Sequence, residues 1–140
     1  MTLLRSLPAL IVLGAVGGWA CGGASTGSSS VVSAGVWGGD HVTLTVTDTA
    51  THLELDCAHG DIPGAFTADA RGQFVLTGTF VREHGGPIRA GETPDSHPAT
   101  YSGSVSSAAM ALTIRLRDSN ESIGPFALAR GAAGRVVKCL

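Results

Sequence analysis

The chain has 140 residues, a formal net charge of −2 at pH 7 and only 14% charged residues. This length suits one domain, and the slightly acidic balance excludes the basic surface with which proteins bind nucleic acids. The sequence contains no phosphate-binding loop, dinucleotide fingerprint or Gly-x-Ser-x-Gly elbow, so no familiar motif assigns an enzyme class. We therefore expect one non-catalytic domain without a cofactor, a bound metal or a nucleic-acid partner.

The first twenty residues have the pattern of an export signal. Arg5 is their only charge, an apolar run extends from Leu7 to Val16, and small residues precede Cys21. The run is about half of the ~20 apolar residues that a bilayer-spanning helix needs. We therefore predict a signal peptide over residues 1–20 rather than a retained transmembrane helix.

The end of this segment, Gly18-Trp19-Ala20-Cys21, resembles the lipobox of bacterial lipoproteins. The resemblance implies that the signal is cleaved before Cys21 and that this cysteine carries the diacylglycerol and palmitate of a membrane anchor. Gly18 stands where the family usually has Leu, and Ala20 would equally suit ordinary signal cleavage. Lipidation of Cys21 and conventional cleavage therefore both remain open.

The residues after Cys21 are rich in Gly and Ser, so we expect a flexible tether over residues 21–34. Such a tether suits a domain that a lipid holds at a membrane. In lipoproteins of bacteria with two membranes, an Asp after the lipidated cysteine favours the inner membrane, so Gly22 implies the outer one. We expect an exported protein of the cell envelope, on the periplasmic side of the outer membrane or at the cell surface.

Three cysteines leave one unpaired in an exported protein, and lipidation of Cys21 would resolve this by leaving Cys57 and Cys139 as a pair. Each of these two ends an alternating run on the parity of its apolar residues, so we expect both thiols to face the interior. A disulfide between them would link the second strand to the last. It would close a loop of about 83 residues and stabilise the fold by about 4 to 5 kcal/mol. The alternative is two buried free thiols.

From Trp37 onward the dominant sequence period is two, which is typical of half-buried strands. Predicted strands cover residues 41–47, 52–57, 65–68, 73–83, 101–105, 110–117, 123–129 and 135–139. A loop is expected at Ala58–Pro63, and a longer one at His84–Pro98, which would be either a lid over one end of the fold or a mobile connection. Gly78 interrupts an apolar strand face, which indicates a bend, a bulge or a close approach of another chain segment.

Seven or eight short strands without amphipathic helical spacing predict a single all-β domain over residues 35–140. Hairpin-length connections favour a small antiparallel up-and-down barrel of about eight strands, with a β-sandwich as the alternative. Closure of the barrel would remove exposed strand edges. We therefore expect a monomer.

Gly35-Val36-Trp37, before the first strand, resembles the Gly-x-Trp motif of lipocalins and other calycins. The resemblance implies that Trp37 closes one end of the barrel and packs against an arginine of a late strand, here Arg130 or Arg135. Together with the lipobox-like start and the Lys138-Cys139-Leu140 end, it makes the chain similar to small bacterial lipoproteins of unassigned function.

An eight-stranded barrel is wide enough either to hold one small ligand or to be filled by its own side chains. For a small apolar or amphipathic ligand, the predicted binding residues are Trp37, Phe74, Phe80, Tyr101, Met110 and Phe126. The same side chains would equally form a closed core. In that case the protein would be purely structural or would act through its surface on an envelope partner.

The densest polar cluster in the sequence supports an alternative function. Asp56, His59 and Asp61 could bind a metal ion or serve a hydrolytic site, and Cys57 could pair with His59 as nucleophile and base. The cluster lacks the spacing of a four-ligand metal site. A strand that ends in a turn, with Asp side chains bound to backbone N–H groups, is the simpler interpretation.

A second candidate group consists of His41, His52 and Glu54. These residues lie on the outward parity of neighbouring predicted strands. Two imidazoles beside a carboxylate could bind zinc or respond to pH. A solvated outer face is the alternative.

Overall fold

The structure is a computed structural model that describes residues 27–140. This part of the chain contains ten strands and no helix, and so no helix that could cross a membrane. The predicted signal peptide at residues 1–20 and the lipidation site Cys21 lie outside the described residues. The strands are β1 (Ser30–Val31), β2 (Gly35–Gly39), β3 (Val42–Val46), β4 (Ala50–Leu55), β5 (Ala58–Pro63), β6 (Thr67–Ala68), β7 (Gln73–Arg82), β8 (Asp95–Val105), β9 (Ala109–Leu116) and β10 (Ser122–Arg130).

Eight of the strands close an antiparallel barrel in the order β10-β2-β3-β4-β5-β7-β8-β9, and β1 pairs with β6 in a separate two-stranded sheet. Each barrel strand lies beside its neighbour along the chain once β6 is set aside. The predicted all-β, up-and-down barrel is therefore confirmed. The body is consistent with the calycin-like architecture that the Gly-x-Trp resemblance implied.

The prediction of a loop at Ala58–Pro63 is wrong, because these residues form β5. They follow a two-residue turn after β4 and pair with it at every position from Leu55↔Ala58 to Ala50↔Pro63. Ala58, Gly60 and Ile62 are buried, and the residues between them face outward. The period of two is present, but Ala and Gly carry too little apolar surface to reveal it in the sequence.

Two other short predicted strands lie outside the barrel. Residues 135–139 form no strand; they belong to a tail that follows β10 and pairs only through the isolated bridge Asp40↔Arg135. The strand expected at residues 65–68 shortens to β6, whose partner β1 lies within the predicted tether. The barrel still has eight strands because β2 and β5 replace these two.

The barrel interior is filled by its own side chains. Nineteen hydrophobic residues are at most 4% exposed and form one core cluster. Phe66, which lies between β5 and β6 and was not expected in the core, is fully buried. Its ring meets Phe74 edge-on with the ring centres 4.8 Å apart. Packing of this kind is the closed-core outcome that the sequence left open.

Two glycines allow β5 to lie close against the rest of the barrel. A Cβ on Gly60 would lie 2.2 Å from the hydroxyl oxygen of Tyr101, whose O–H donates a 2.5 Å hydrogen bond to the carbonyl of Thr79. A Cβ on Gly78 would lie 2.1 Å from the carbonyl oxygen of Asp61. The close approach predicted at Gly78 is confirmed, and the approaching segment is β5.

Strand register separates the two ends of the barrel. At the tether end, Gly35 begins β2 opposite Val46. At the opposite end, which we call the loop end, Leu55 pairs with Ala58 and Arg82 pairs with Asp95. The connection from β7 to β8, residues 83–94, therefore lies at the end that faces away from the tether. We refer to it below as the β7–β8 loop.

Candidate functional site

Trp37 and Arg130 form the pair that the calycin resemblance implied. Trp37 is fully buried, and the guanidinium carbon of Arg130 lies 5.5 Å from the centre of its ring. This distance is within the range of a cation–π interaction. The other candidate, Arg135, instead donates to Asp40, with Nη2 2.6 Å from Oδ1. The structure therefore assigns the pairing to Arg130.

The residues predicted to bind a ligand inside the barrel belong to its core. Five of them are at most 3% exposed, and Phe126 is partly buried against the same cluster. Tyr101 uses its hydroxyl group for the hydrogen bond to Thr79, and burial raises the pKa of its phenol. The five buried residues are Trp37, Phe74, Phe80, Tyr101 and Met110. All of the predicted residues belong to the core cluster or pack against it.

A cleft of about 390 Å³ lies instead on the outside of the barrel, beside the β7–β8 loop. Val81, Ile88 and Pro94 provide apolar parts of its lining. Charged and polar groups from β5, β7 and the loop complete the lining. Ile88 is 84% exposed, so its apolar side chain faces solvent at the cleft. We call this space the loop cleft.

A chain of charged side chains crosses the outer face of β4 and β5 and reaches the start of the β7–β8 loop beside the cleft. His52 Nδ1 lies 2.7 Å from Asp61 Oδ1, and His52 Nε2 lies 2.7 Å from Glu54 Oε1. Lys138 from the tail contacts Glu54 and lies 3.0 Å from Glu83 Oε2. The group ends at His59, whose Nδ1 lies 2.7 Å from Glu83 Oε1. We call these six residues the outer charge network.

The two carboxylates around His52 determine its charge. Carboxylates only accept hydrogen bonds, and a neutral imidazole donates from one nitrogen, so only the imidazolium can donate to both partners. The hydrogen bonds to Asp61 and then Glu54 raise the pKa of His52 above its usual value. For Glu54, burial opposes ionisation, but the hydrogen bonds from Lys138 and His52 outweigh it and lower the pKa. The hydrogen bond from His59 lowers the pKa of Glu83.

The structure does not bring Asp56, His59 and Asp61 together. Asp56 accepts from the Val137 N–H at 2.7 Å and contacts His41, His59 contacts Glu83, and Asp61 contacts His52. Among residues 27–140, no group of three or more His, Cys, Asp or Glu is placed to hold a metal ion. The alternative metal or hydrolytic site therefore has no assembled constellation in the described residues. Of the second candidate group, His52 and Glu54 meet, whereas His41 lies at the β2–β3 turn.

The disulfide between Cys57 and Cys139 is present, with the two Cα atoms 4.9 Å apart. The prediction that both thiols face the interior is wrong, because both residues are partly exposed. Cys57 lies in the β4–β5 turn with a φ of 52°, and Cys139 lies in the tail. A thiol in a left-handed turn no longer follows the in-and-out alternation of its strand.

The tail after β10 is the element that sequence analysis missed most completely. Its Val137 N–H donates to Asp56, and Lys138 Nζ lies 3.2 Å from the carbonyl oxygen of Ala58. Lys138 and Glu83 complete the outer charge network, yet they are 55 positions apart. No local sequence pattern could have paired them, because their contact depends on where the tail crosses the barrel.

The outer charge network predicts how stability depends on pH. The pKa of His52 is raised in the folded state, so its contribution to the free energy of unfolding is complete below pH 6.5, the ordinary pKa of histidine. This contribution is lost as the pH rises through the pKa of His52 in the folded protein. The contributions of Glu54 and Glu83, whose pKa values are lowered, are complete above 4.5 and are lost as the pH falls. We expect the free energy of unfolding, measured with urea, to be largest between these limits.

His52→Gln is the matched variant for this measurement, and Thr45→Gln on the same outer face, directly opposite it on β3, is the control. The loss of stability between about pH 6 and pH 8 should be smaller in His52→Gln than in the wild type and unchanged in Thr45→Gln. Equal losses in all three proteins would show that His52 does not contribute to the pH dependence.

Comparison with protein-family models, with curated proteins and with solved structures finds no match to this chain.

Proposed function

We propose that this protein is an exported, lipid-anchored and non-catalytic binding module that binds a small amphipathic molecule in the loop cleft. The observation that carries the proposal is the filled interior of the barrel. Because nineteen buried side chains occupy that interior, the concave surface beside the β7–β8 loop is the better candidate for a ligand. Its volume of about 390 Å³ lies in the range of small-molecule sites.

The lining of the cleft favours an amphipathic ligand over a purely apolar one. Val81, Ile88 and Pro94 offer apolar surface, while the rest of the lining carries charged groups of both signs, Arg82 and His84 beside Glu83, Glu92 and Asp95. A ligand with an apolar body and a polar head would use both parts.

The position of the cleft agrees with a lipid anchor at Cys21. The tether enters the barrel at Gly35, and the cleft lies at the loop end, beyond the pairing of Arg82 with Asp95. A chain anchored through Cys21 would hold its tether end near the membrane. The cleft would then face away from the bilayer and remain accessible from the surrounding compartment.

Mass spectrometry of the full chain extracted from bacterial membranes tests the anchor. We expect a mature protein that begins at Cys21 and carries a diacylglyceryl group. The Cys21→Ala chain should lack this mass and should not be retained in the membrane fraction as a mature protein. A mature wild-type protein without lipid would contradict the anchor and would favour conventional cleavage after Ala20.

Titration of residues 21–140, carrying Cys21→Ala, with the amphipathic dye 1-anilinonaphthalene-8-sulfonate tests the cleft. We expect Ile88→Asp to weaken binding at least about tenfold, because it places a carboxylate on the apolar lining. Val75→Asp is the matched control, since Val75 is 73% exposed on the outer face of β7 and does not line the cleft.

The result also separates the proposed site from the alternatives. If both substitutions weaken dye binding equally, or if neither weakens it, the dye binds outside the loop cleft. Absence of any saturable binding would contradict a small-molecule site and favour a filled barrel that acts on an envelope partner through its surface.

A further inference from the structure

The β7–β8 loop is closed on itself by one histidine. His84 lies at the start of the loop, and its Nε2 contacts Glu92 Oε1 near the end. Its Nδ1 lies 2.9 Å from the carbonyl oxygen of Gly85. Both ring nitrogens therefore face groups that only accept hydrogen bonds. As a neutral imidazole donates from one nitrogen only, this arrangement requires the imidazolium form of His84.

Glu92 connects this contact to the backbone of the loop. Its Oε2 accepts a 3.0 Å hydrogen bond from the N–H of Arg89, while its own N–H donates a 3.0 Å hydrogen bond to the Arg89 carbonyl. The Glu92 side chain thus joins His84 on one side to the turn at residues 89–92 on the other. Release of Glu92 by His84 would leave this turn without its attachment to the start of the loop.

The loop forms one wall of the loop cleft, through His84, Ile88 and Pro94 among others. The opposite wall belongs to β5 and β7. The other titratable or charged groups around His84 are His59, Arg82, Glu83, Arg89 and Asp95, and the backbone oxygen of Leu140 in the tail lies against Gly85. Most of these have partners of their own: His59 and Lys138 hold Glu83, and Arg82 binds Glu121. Glu92 is the carboxylate that contacts His84 directly.

We propose that the β7–β8 loop is a pH-responsive wall of the loop cleft, held in place while His84 is protonated and released when His84 becomes neutral. A neutral His84 would place a lone pair against either the Gly85 carbonyl or the Glu92 carboxylate. The ring must then turn away from one of them, and the turn at residues 89–92 loses its support. The hydrogen bonds to the Gly85 carbonyl and to Glu92 also raise the pKa of His84, so release occurs above its ordinary value of 6.5.

Backbone amide exchange, measured by NMR on residues 21–140 carrying Cys21→Ala, tests the loop without any ligand. The amides of Arg89 and Glu92 are the reporters, because their hydrogen bonds define the turn. Expressed as protection factors, which correct for the intrinsic effect of pH, their protection should fall about tenfold between about pH 5.5 and pH 8. The fall should follow the titration of the His84 ring. Equal protection at both pH values, with His84 titrating between them, would overturn the proposal.

Three variants separate the loop from general effects of pH. His84→Ala should show low protection of Arg89 and Glu92 at both pH values. Glu92→Gln keeps an oxygen for the Arg89 N–H but removes the charge, and it too should lose the pH dependence. His41→Ala is the control, because His41 contacts Asp56 at another turn of the loop end. Persistence of the wild-type fall in His84→Ala would contradict the role of His84.

The inference uses the proposed function only in naming the cleft as the site that the loop controls. Dye binding should weaken about tenfold between the same two pH values in the wild type and lose this dependence in His84→Ala. If amide exchange changes with pH while dye binding does not, the pH response of the β7–β8 loop is confirmed and the proposed binding site is wrong. If the dye binds at the cleft but amide exchange does not change with pH, the binding site is confirmed and the pH response of the loop is wrong.

Discussion

Replacing both Cys57 and Cys139 by Ser is expected to lower the free energy of unfolding by about 4 kcal/mol. The two residues are 82 positions apart, so the bridge encloses most of the barrel, from the β4–β5 turn to the tail. A cross-link over so long a segment restricts the unfolded chain strongly, which is the origin of the stabilisation in the chain-entropy description. Urea denaturation of the variant beside the wild type, under oxidising conditions, measures the difference.

Wild-type protein kept under a reducing agent is the control for the serine hydroxyl groups and should match the variant. A second comparison tests whether the bridge positions Lys138. We expect Lys138→Met to lower the free energy of unfolding more when it is made in the disulfide-containing protein than when it is made in the double serine variant. Without the bridge, the tail holds Lys138 less firmly against Glu54 and Glu83. A loss below about 1 kcal/mol in the double serine variant would contradict the expected stabilisation by the bridge.

Trp37→Ala is expected to lower the free energy of unfolding by about 3 to 5 kcal/mol. Trp37 is fully buried, and its removal would leave a large cavity beneath Arg130. Urea denaturation followed by circular dichroism measures the effect, since tryptophan fluorescence would be lost with the side chain. A loss below about 1.5 kcal/mol would mean that the surrounding barrel collapses into the space.

Trp37→Phe is the informative companion variant. The indole Nε1–H of Trp37 is buried and has no hydrogen-bond partner among the described residues. Trp37→Phe therefore reduces the volume of the ring but removes no hydrogen bond. We expect it to lower the free energy of unfolding clearly less than Trp37→Ala does. Arg130→Ala should cost about 0.5 to 1 kcal/mol, the size of an exposed cation–π contact. A cost for Arg130→Ala as large as for Trp37→Ala would assign Arg130 a further role.

The accuracy of the sequence predictions followed the chemical contrast within each strand. β3 alternates Val and Leu with Thr, and β9 alternates large aliphatic residues with small or charged ones, so their inner and outer faces could be read directly. β5 alternates Ala and Gly with His and Asp, and its inner face carries too little hydrophobic contrast. Only its complete pairing with β4 in the structure shows that these residues form a strand.

The candidate site was less predictable than the fold. The sequence indicated histidines and carboxylates on outward faces, and the structure brings His52 together with Glu54 and Asp61. The sequence also indicates a cluster at Asp56, His59 and Asp61, because these residues are close together along the chain. In a strand and its preceding turn these side chains diverge, and each finds a partner on a different element.

The sequence by itself determined the strand period, the all-β class and the pair of cysteines that form the disulfide. These features follow from local alternation and from residue types whose chemistry restricts their use. The partnership of Trp37 with a late arginine was implied by the resemblance of Gly35-Val36-Trp37 to the calycin motif. The tertiary structure alone decided that the interior is filled, that the tail lies on the outer face and that the loop cleft exists. Those outcomes depend on contacts between residues far apart in the chain, which local patterns do not specify.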